Sequence, residues 1–320
     1  MSEAHVDLHR VRRFALLLPQ LGEVQAFDFC TGGEGTLYPP REAEGVLEFF
    51  FFACTHQYGF WHLDGDRYAG PMLATIDDVR AKGSDFLTRC LMRAWRQDPG
   101  FFAPANLARL TDADCEALFQ DDEGFNPLPQ WPTHLALIRR YADWFLSRHE
   151  SPAHLVAQAQ GEAKPLAAFL RLAGQVPGYA EDRLQKKLML LAIILENRPE
   201  HFLRVSDPQS AVPIIDYHLQ RSALRTGLVV VDNPALAARL EQRQLVSAAQ
   251  ESAVRRATYE AITLLVEYSG LSVAAIDWFF FTNRTRCPEM TEPRCATCPV
   301  RAVCARRKQL FQPIFLTTAY

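Results

Sequence analysis

Nowhere in these 320 residues does an apolar run approach the roughly 20 residues that a bilayer span needs. The longest, such as that at 188–195, fall far short. No charged, apolar and small-residue series opens the chain, so no secretory leader is read there. These absences give a cytoplasmic expectation with no membrane partner. A surplus of positive charge is missing too. The formal net charge is −3, whereas a protein that lives on duplex DNA usually carries a basic face to exchange for phosphate counterions. Strand-like alternation is scarce, and there is neither an internal repeat nor a low-complexity tract. With 48% hydrophobic residues, the composition is that of an ordinary globular protein, long enough for one large domain or two modest ones.

Helical periodicity fills most of the chain. In the segment 133–148, Leu135, Ile138, Ala142 and Phe145 share one face, with Arg139, Arg140 and Asp143 elsewhere. The helix expected at 153–160 starts behind Ser151 and Pro152, an N-cap followed by a first-turn proline. Further helices are expected at 166–172, 181–196, 213–226, 234–243 and 247–269, so the fold class is mainly α.

Two segments break the pattern. Residues 44–67 are crowded with aromatics (Phe49 to Phe52, Tyr58, Phe60, Trp61) and carry a turn at Leu63-Asp64-Gly65-Asp66. A short hairpin or a buried helix fits either. Residues 121–132 are acidic and then proline-rich, which reads as a linker. The expected division is an N-terminal helical part with an aromatic pocket segment at 1–130, a helical domain at 131–283, and a cysteine loop with its tail at 284–320.

Of eight cysteines, four are scattered and four are packed as Cys287-x7-Cys295-x2-Cys298-x5-Cys304, with Pro288, Pro293 and Pro299 between them. Without a secretion signal, metal ligation is a better account than disulfides. Four thiolates converging from a tight, proline-stiffened loop suit a [4Fe-4S] cluster, and zinc would accept the same four sulfurs in a tetrahedron. The same stretch is basic: Arg284, Arg286, Arg294, Arg301, Arg306, Arg307 and Lys308 face only Glu289 and Glu292 in sequence. That is a candidate anion-binding patch.

The cysteine spacing resembles the iron-sulfur loop of the endonuclease III and adenine-glycosylase branch of the helix-hairpin-helix DNA glycosylases, with one extra residue in the first gap. The resemblance favours [4Fe-4S] over zinc. Upstream, Val212-Pro213-Ile214-Ile215-Asp216-Tyr217-His218, followed by Arg225-Thr226-Gly227, resembles the segment that carries the catalytic carboxylate of those enzymes. The resemblance makes Asp216 that carboxylate, in the first turn of a helix whose macrodipole favours its ionised form. Cleaving an N-glycosidic bond develops oxocarbenium character on the sugar, which a nearby carboxylate stabilises. The alternative is an acid that only caps its helix. The stretch 176–187, Val-Pro-Gly-Tyr-Ala-Glu-Asp-Arg-Leu-Gln-Lys-Lys, resembles the hairpin that bears the lyase lysine but lacks its second glycine. Acids Glu181 and Asp182 there would repel a DNA phosphate. Lys186 is the candidate nucleophile or phosphate ligand, against the alternative of a solvated helix face.

A second resemblance covers more of the chain, from about Gly45 to Asn283. It is to the queuosine salvage family, nucleotide N-glycosidases on a DNA-glycosylase-like fold that release a 7-deazaguanine base. It rests on the shared order of Gln57-Tyr58-Gly59-Phe60-Trp61, the segment 110–119, Ile215-Asp216-Tyr217-His218 and Ala275-Ile276-Asp277-Trp278-Phe279-Phe280. The resemblance implies that Tyr58, Phe60 and Trp61 wall in the base, with Tyr217, His218 and Asp277 also contacting substrate. Ordinary core packing is the alternative for each aromatic. Gln57 stands where the family has asparagine and His218 where it has arginine, and the family lacks the cysteine loop.

The expected protein is therefore an N-glycosidase of a DNA-glycosylase-like helical fold with a C-terminal iron-sulfur loop, acting on a small modified nucleoside or nucleoside 5′-phosphate. The alternative is a [4Fe-4S] DNA glycosylase, with lyase activity through Lys186.

Overall fold

The computed structural model describes residues 3–22, 24–31, 33 and 35–320. In chain order the elements are β1 (Ala4–Val6), α1 (Leu8–Leu17), α2 (Val46–Thr55), β2 (Trp61–Asp64), β3 (Arg67–Pro71), β4 (Leu73–Ile76), β5 (Val79–Lys82), α3 (Ser84–Gln97), α4 (Pro104–Leu107), α5 (Asp112–Leu118), α6 (Trp131–Arg148), α7 (Pro152–Gln160), α8 (Pro165–Ala173), α9 (Lys186–Asn197), α10 (Tyr217–Thr226), β6 (Val229–Val231), α11 (Pro234–Gln242), α12 (Ala248–Ser269) and α13 (Val273–Asn283). The protein is mainly α, and among the described residues the strands pair as two-stranded ribbons. Among the described residues no single helix is long and apolar enough to cross a membrane.

By its contacts the chain forms two compact units. One comprises Met1–Phe27, Leu63–Gly70 and Val212–Leu316, and the other Asp28–His62, Pro71–Ala211 and Thr317–Tyr320. The chain thus crosses between units repeatedly, a course different from a linear division at residues 130 and 283.

In the first unit, β1 runs antiparallel to β6, with Ala4 opposite Val231 and Val6 opposite Val229. The core gathers Val11 and Phe14 of α1, Leu219 and Leu224 of α10, Val254 and Leu265 of α12, Ile276 of α13, and Val300, Val303 and Leu310 from the cysteine loop and beyond. The cysteine loop is therefore built into this core. The Ser247 hydroxyl accepts from Gln250 N–H while the Gln250 side chain accepts from Ser247 N–H, starting α12 with a reciprocal cap, and Gly270 at φ 70° ends it.

The second unit is organised around α2 and α9, both apolar on nearly every side and hence interior. For the aromatic stretch 44–67 the sequence leaves a helix or a hairpin open, and the chain forms each in turn: helix α2 in this unit, then the β2–β3 hairpin, whose turn at Gly65 and residues 63–70 belong to the first unit. Ser151 caps α7 ahead of Pro152, as the sequence indicates. The acidic stretch after α5 is not a free linker. Asp122 accepts the N–H groups of Asp77 and Asp78, which turn β4 into β5, and Asp121 accepts those of Glu123 and Phe125. These carboxylates fold the segment into the unit.

Two helix starts differ from expectation for local reasons. Helix α9 begins at Lys186 instead of 181, because the Asp182 carboxylate accepts the N–H groups of Leu184 and Lys186 and Gln185 turns left-handed at φ 57°. Helix α10 begins at Tyr217 instead of 213, because Asp216 caps it from an extended conformation.

Candidate functional site

Asp216 is the N-cap of α10, not a residue of its first turn. Its Oδ1 accepts the Leu219 N–H at 2.9 Å, and its second oxygen has no hydrogen-bond partner among the described residues. The side chain remains partly exposed. The N-cap carboxylate thus satisfies one orphan amide of the helix start through a single oxygen.

The next two residues are nearly enclosed. Tyr217 and His218 lie ring to ring at 4.1 Å, and burial drives the Tyr217 phenol upward, so it stays neutral. Arg221 Nη2 donates to His218 Nδ1 at 2.8 Å. A guanidinium cannot accept, so His218 presents a bare Nδ1 to it. The same Arg221 donates through Nη1 to Gln312 Oε1 at 2.7 Å and pairs with Glu289 at 3.5 Å, all of them buried. Burial lowers the Arg221 guanidinium from its usual range, and Glu289 works against that.

One turn further along α10, Arg225 donates through Nε to Leu310 O at 2.9 Å and through Nη1 to Pro288 O at 2.7 Å and Cys287 Sγ at 3.5 Å. A single helix therefore carries Asp216 at its start and two buried arginines that fasten its remaining length to the cysteine loop. Gly227 closes the helix at φ 80°, where a Cβ would lie 2.7 Å from the Ala305 Cβ. Only glycine lets the loop approach this closely.

Cys287, Cys295, Cys298 and Cys304 line one cavity together with Arg225, Asn283 and Val300. N–H donors face three of the sulfurs: Arg225 toward Cys287, Asn283 Nδ2 toward Cys298 at 3.8 Å, and Arg306 N–H toward Cys304 at 3.3 Å. Such donors favour thiolate or sulfide charge. Among the described residues, however, no three His, Cys, Asp or Glu side chains converge as the ligand set of a metal ion. Of the basic residues here, Arg294 donates to Thr285 O, Lys308 pairs with Glu292, and Arg301 and Arg306 are exposed.

Asp277 is partly exposed on α13 beside Trp278. Trp278 stacks on Phe27 at 4.3 Å with 10° between the planes and on Phe281 at 5.5 Å. The Arg284 guanidinium covers Phe281 at 3.7 Å, and the His218 ring meets Phe281 edge-on at 6.4 Å. In this unit the structure thus brings together Asp216, Tyr217, His218 and the aromatic residues of α13.

Tyr58, Phe60, Trp61 and Lys186 belong to the other unit. None of the three aromatics exposes more than 7% of its surface. Tyr58 stacks on His134 at 4.2 Å, lies 5.0 Å from Lys187 Nζ, and bonds its hydroxyl to Thr133 Oγ1 at 3.1 Å. With its ring packed in this way, Tyr58 has no open face for a base. Lys186 is nearly buried, not on a solvated face, and its Nζ lies 3.5 Å from Gln57 O. Its neighbour Lys187, which sequence reasoning passed over, is wholly buried and donates to Thr55 O at 2.9 Å. Burial, reinforced by Lys186, lowers its amine to about 7 against the pull of Glu181 and Asp182.

In the hairpin-like stretch Gly178 adopts φ 96°, and its N–H donates to Glu181 Oε2 at 2.7 Å while Arg140 binds Glu181 Oε1. The backbone donor that a phosphate would use is taken by the chain's own carboxylate. The sequence places Arg221 and Arg225 in the segment around Asp216 without marking either as an anchor. Their spacing of four on one helix puts them on a common face, but only their burial separates them from a solvated basic stripe. No protein-family model and no curated protein matches the chain.

Proposed function

We propose that the chain is an N-glycosidase, built on a DNA-glycosylase-like helical fold with a [4Fe-4S] cluster, that releases a modified base of the 7-deazaguanine type from a nucleoside or nucleoside 5′-phosphate. The observation that carries this reading is the placement of Asp216, held at the start of α10 by one oxygen while the other is unengaged. As the glycosidic bond breaks, that oxygen faces the cationic sugar carbon and stabilises it, or orients the attacking water. The engaged Gly178 N–H and the net charge of −3 favour a small substrate over duplex DNA.

The cysteine loop fits a cluster on the chemistry of its donors. Cys287, Cys295, Cys298 and Cys304 line one cavity, and N–H groups face three of their sulfurs, donors that would favour the charge of bound thiolates. Cys287, Cys295, Cys298 and Cys304 would hold it. Its contribution is structural, fixing the loop to which Arg225 and Arg221 anchor α10.

The test is release of free base from queuosine 5′-phosphate, with duplexes bearing modified bases in parallel, read by chromatography. Asp216→Asn should lower release by roughly 10²–10⁴-fold while leaving the fold intact, because asparagine caps a helix about as well. Release from duplexes alone would replace this reading with a DNA glycosylase, and undiminished release by Asp216→Asn would remove the carboxylate from the mechanism.

A further inference from the structure

Two imidazoles meet inside the second unit, and neither has a role in the reaction proposed above. His56 is the C-cap of α2 and His134 stands in the first turn of α6, both wholly buried. Their Nδ1 atoms are 2.9 Å apart. Two like nitrogens bond only when one carries a proton and the other is bare, so the pair shares a single proton on this side. Among the described residues neither buried Nε2 atom has a hydrogen-bond partner. The walls are aromatic: Phe52 at 4.6 Å and Phe119 at 5.7 Å from the His56 ring, and Tyr58 stacked on His134 at 4.2 Å.

The charged groups around the pair discourage a second proton. From α9, Lys187 acts on both imidazoles, and Lys186 lies at Gln57 O. Glu181 and Asp182 act on Lys187 instead, and Glu181 with Arg140 acts on the Tyr58 hydroxyl. The other titratable groups at this contact, Cys54 and Tyr141, are pushed up by burial and stay neutral. The α6 start adds its positive end beside His134, and the Thr55 carbonyl, one residue before His56, accepts from Lys187. Burial therefore lowers His134 to about 3 and His56 well below the usual imidazole range.

We propose that His56 and His134 form an acid-operated latch: sharing one proton, they clamp α2 to α6 and keep residues 58–61 buried, and on taking further protons they part and release that segment. The sign follows from the burial. Closed, the pair resists protonation; open, each imidazole takes a proton at its ordinary pKa of about 6.5. The open form thus binds more protons below that value, and two such protons raise the opening constant by up to about 100-fold per pH unit. Tyr58 is released first, because it stacks directly on His134, and Phe60 and Trp61 follow in the chain. The latch does not depend on the glycosidase reading.

Hydrogen exchange of the full chain at pH 7, 6 and 5, corrected for intrinsic rates and read by mass spectrometry, tests it. Between pH 6 and 5, protection of peptides covering 52–62 and 131–138 should fall by roughly 60-fold, while that of α12 changes less than about threefold. In the His56→Asn/His134→Asn variant the amides can bond each other without titrating, and the fall should shrink below about threefold. If that variant does not fold, imidazole nitrogen spectra of the wild type decide, since both rings should stay neutral in the closed form at pH 6. Unchanged protection between pH 6 and 5, an imidazole titrating near 6.5 with the segment still protected, or simultaneous loss of protection in every segment would each overturn the latch.

Discussion

Lys187 places an amine where no solvent reaches it, with the Thr55 carbonyl its one hydrogen-bond partner among the described residues. Its amine sits near 7 when folded and near 10.5 when unfolded, so between those values the unfolded chain binds more protons. Stability should therefore climb as pH rises from 7 to 10.5 and be lost as pH falls toward 7. Lys187→Met, of similar length and without charge, should remove this slope and stabilise the protein at pH 7 by a few kcal/mol, of order 1–4, as replacement of buried charge often does. Urea denaturation of both proteins at pH 7 and 9 checks this. A variant less stable than wild type at both pH values would mean that the bond to Thr55 outweighs the burial penalty. Asp216 is a different case, a partly exposed carboxylate whose Oδ1 caps a helix, a task that asparagine also performs. For that reason Asp216→Asn separates chemistry from folding.

Helix ends are decided by side chains that reach in from far along the chain. Asp207 accepts the N–H groups of Leu166 and Ala167 at 2.9 and 3.0 Å, capping α8 from about forty residues away. Its burial works upward, but these amide donors outweigh it and hold the carboxyl below its usual value. The cap therefore stabilises above the ordinary carboxyl range and is lost as pH falls through the lowered one. Asp207→Ala should cost about 1–2 kcal/mol at pH 7, and less once the pH falls through the lowered carboxyl range, measured by thermal unfolding. Gly178 shows the same dependence on distant packing. Its φ of 96° and a Cβ position 2.6 Å from the Thr55 Cβ exclude any side chain. Gly178→Ala should destabilise the second unit by about 2 kcal/mol or more, visible as lost amide protection in α2.

At the scale of the molecule, the cysteine loop lends Val300 and Val303 to the core of the first unit, and α10 is tied to it through Arg221 and Arg225. If a cluster holds this loop, its loss loosens the core that positions Asp216. Anaerobically purified protein should contain iron and acid-labile sulfide in nearly equal amounts, approaching four of each per chain. Stripping them should lower the unfolding temperature by about 5–10 °C and raise exchange in α10 and α13, with little change in α2 and α9. A colourless protein that holds zinc and no sulfide would overturn the cluster. Arg225→Met should hasten loss of the visible absorption under chelation, since it removes the N–H group facing Cys287.

The sequence by itself determined the mainly helical character, because apolar periods and caps such as Ser151-Pro152 and Ser247 are local signals that the chain reads within one turn. It also marked the four cysteines as a set and Asp216 as the opening of a helix. It could not distinguish a cap from a first-turn residue at Asp216, which depends on where the Leu219 amide finds its acceptor. Tertiary structure alone decided that Tyr58 packs into the core and that Lys187 is the more deeply buried of two adjacent lysines. It also decided that His56 and His134, 78 positions apart, share a proton. Burial and charge pairing are set by residues distant in the chain, and no local pattern records them.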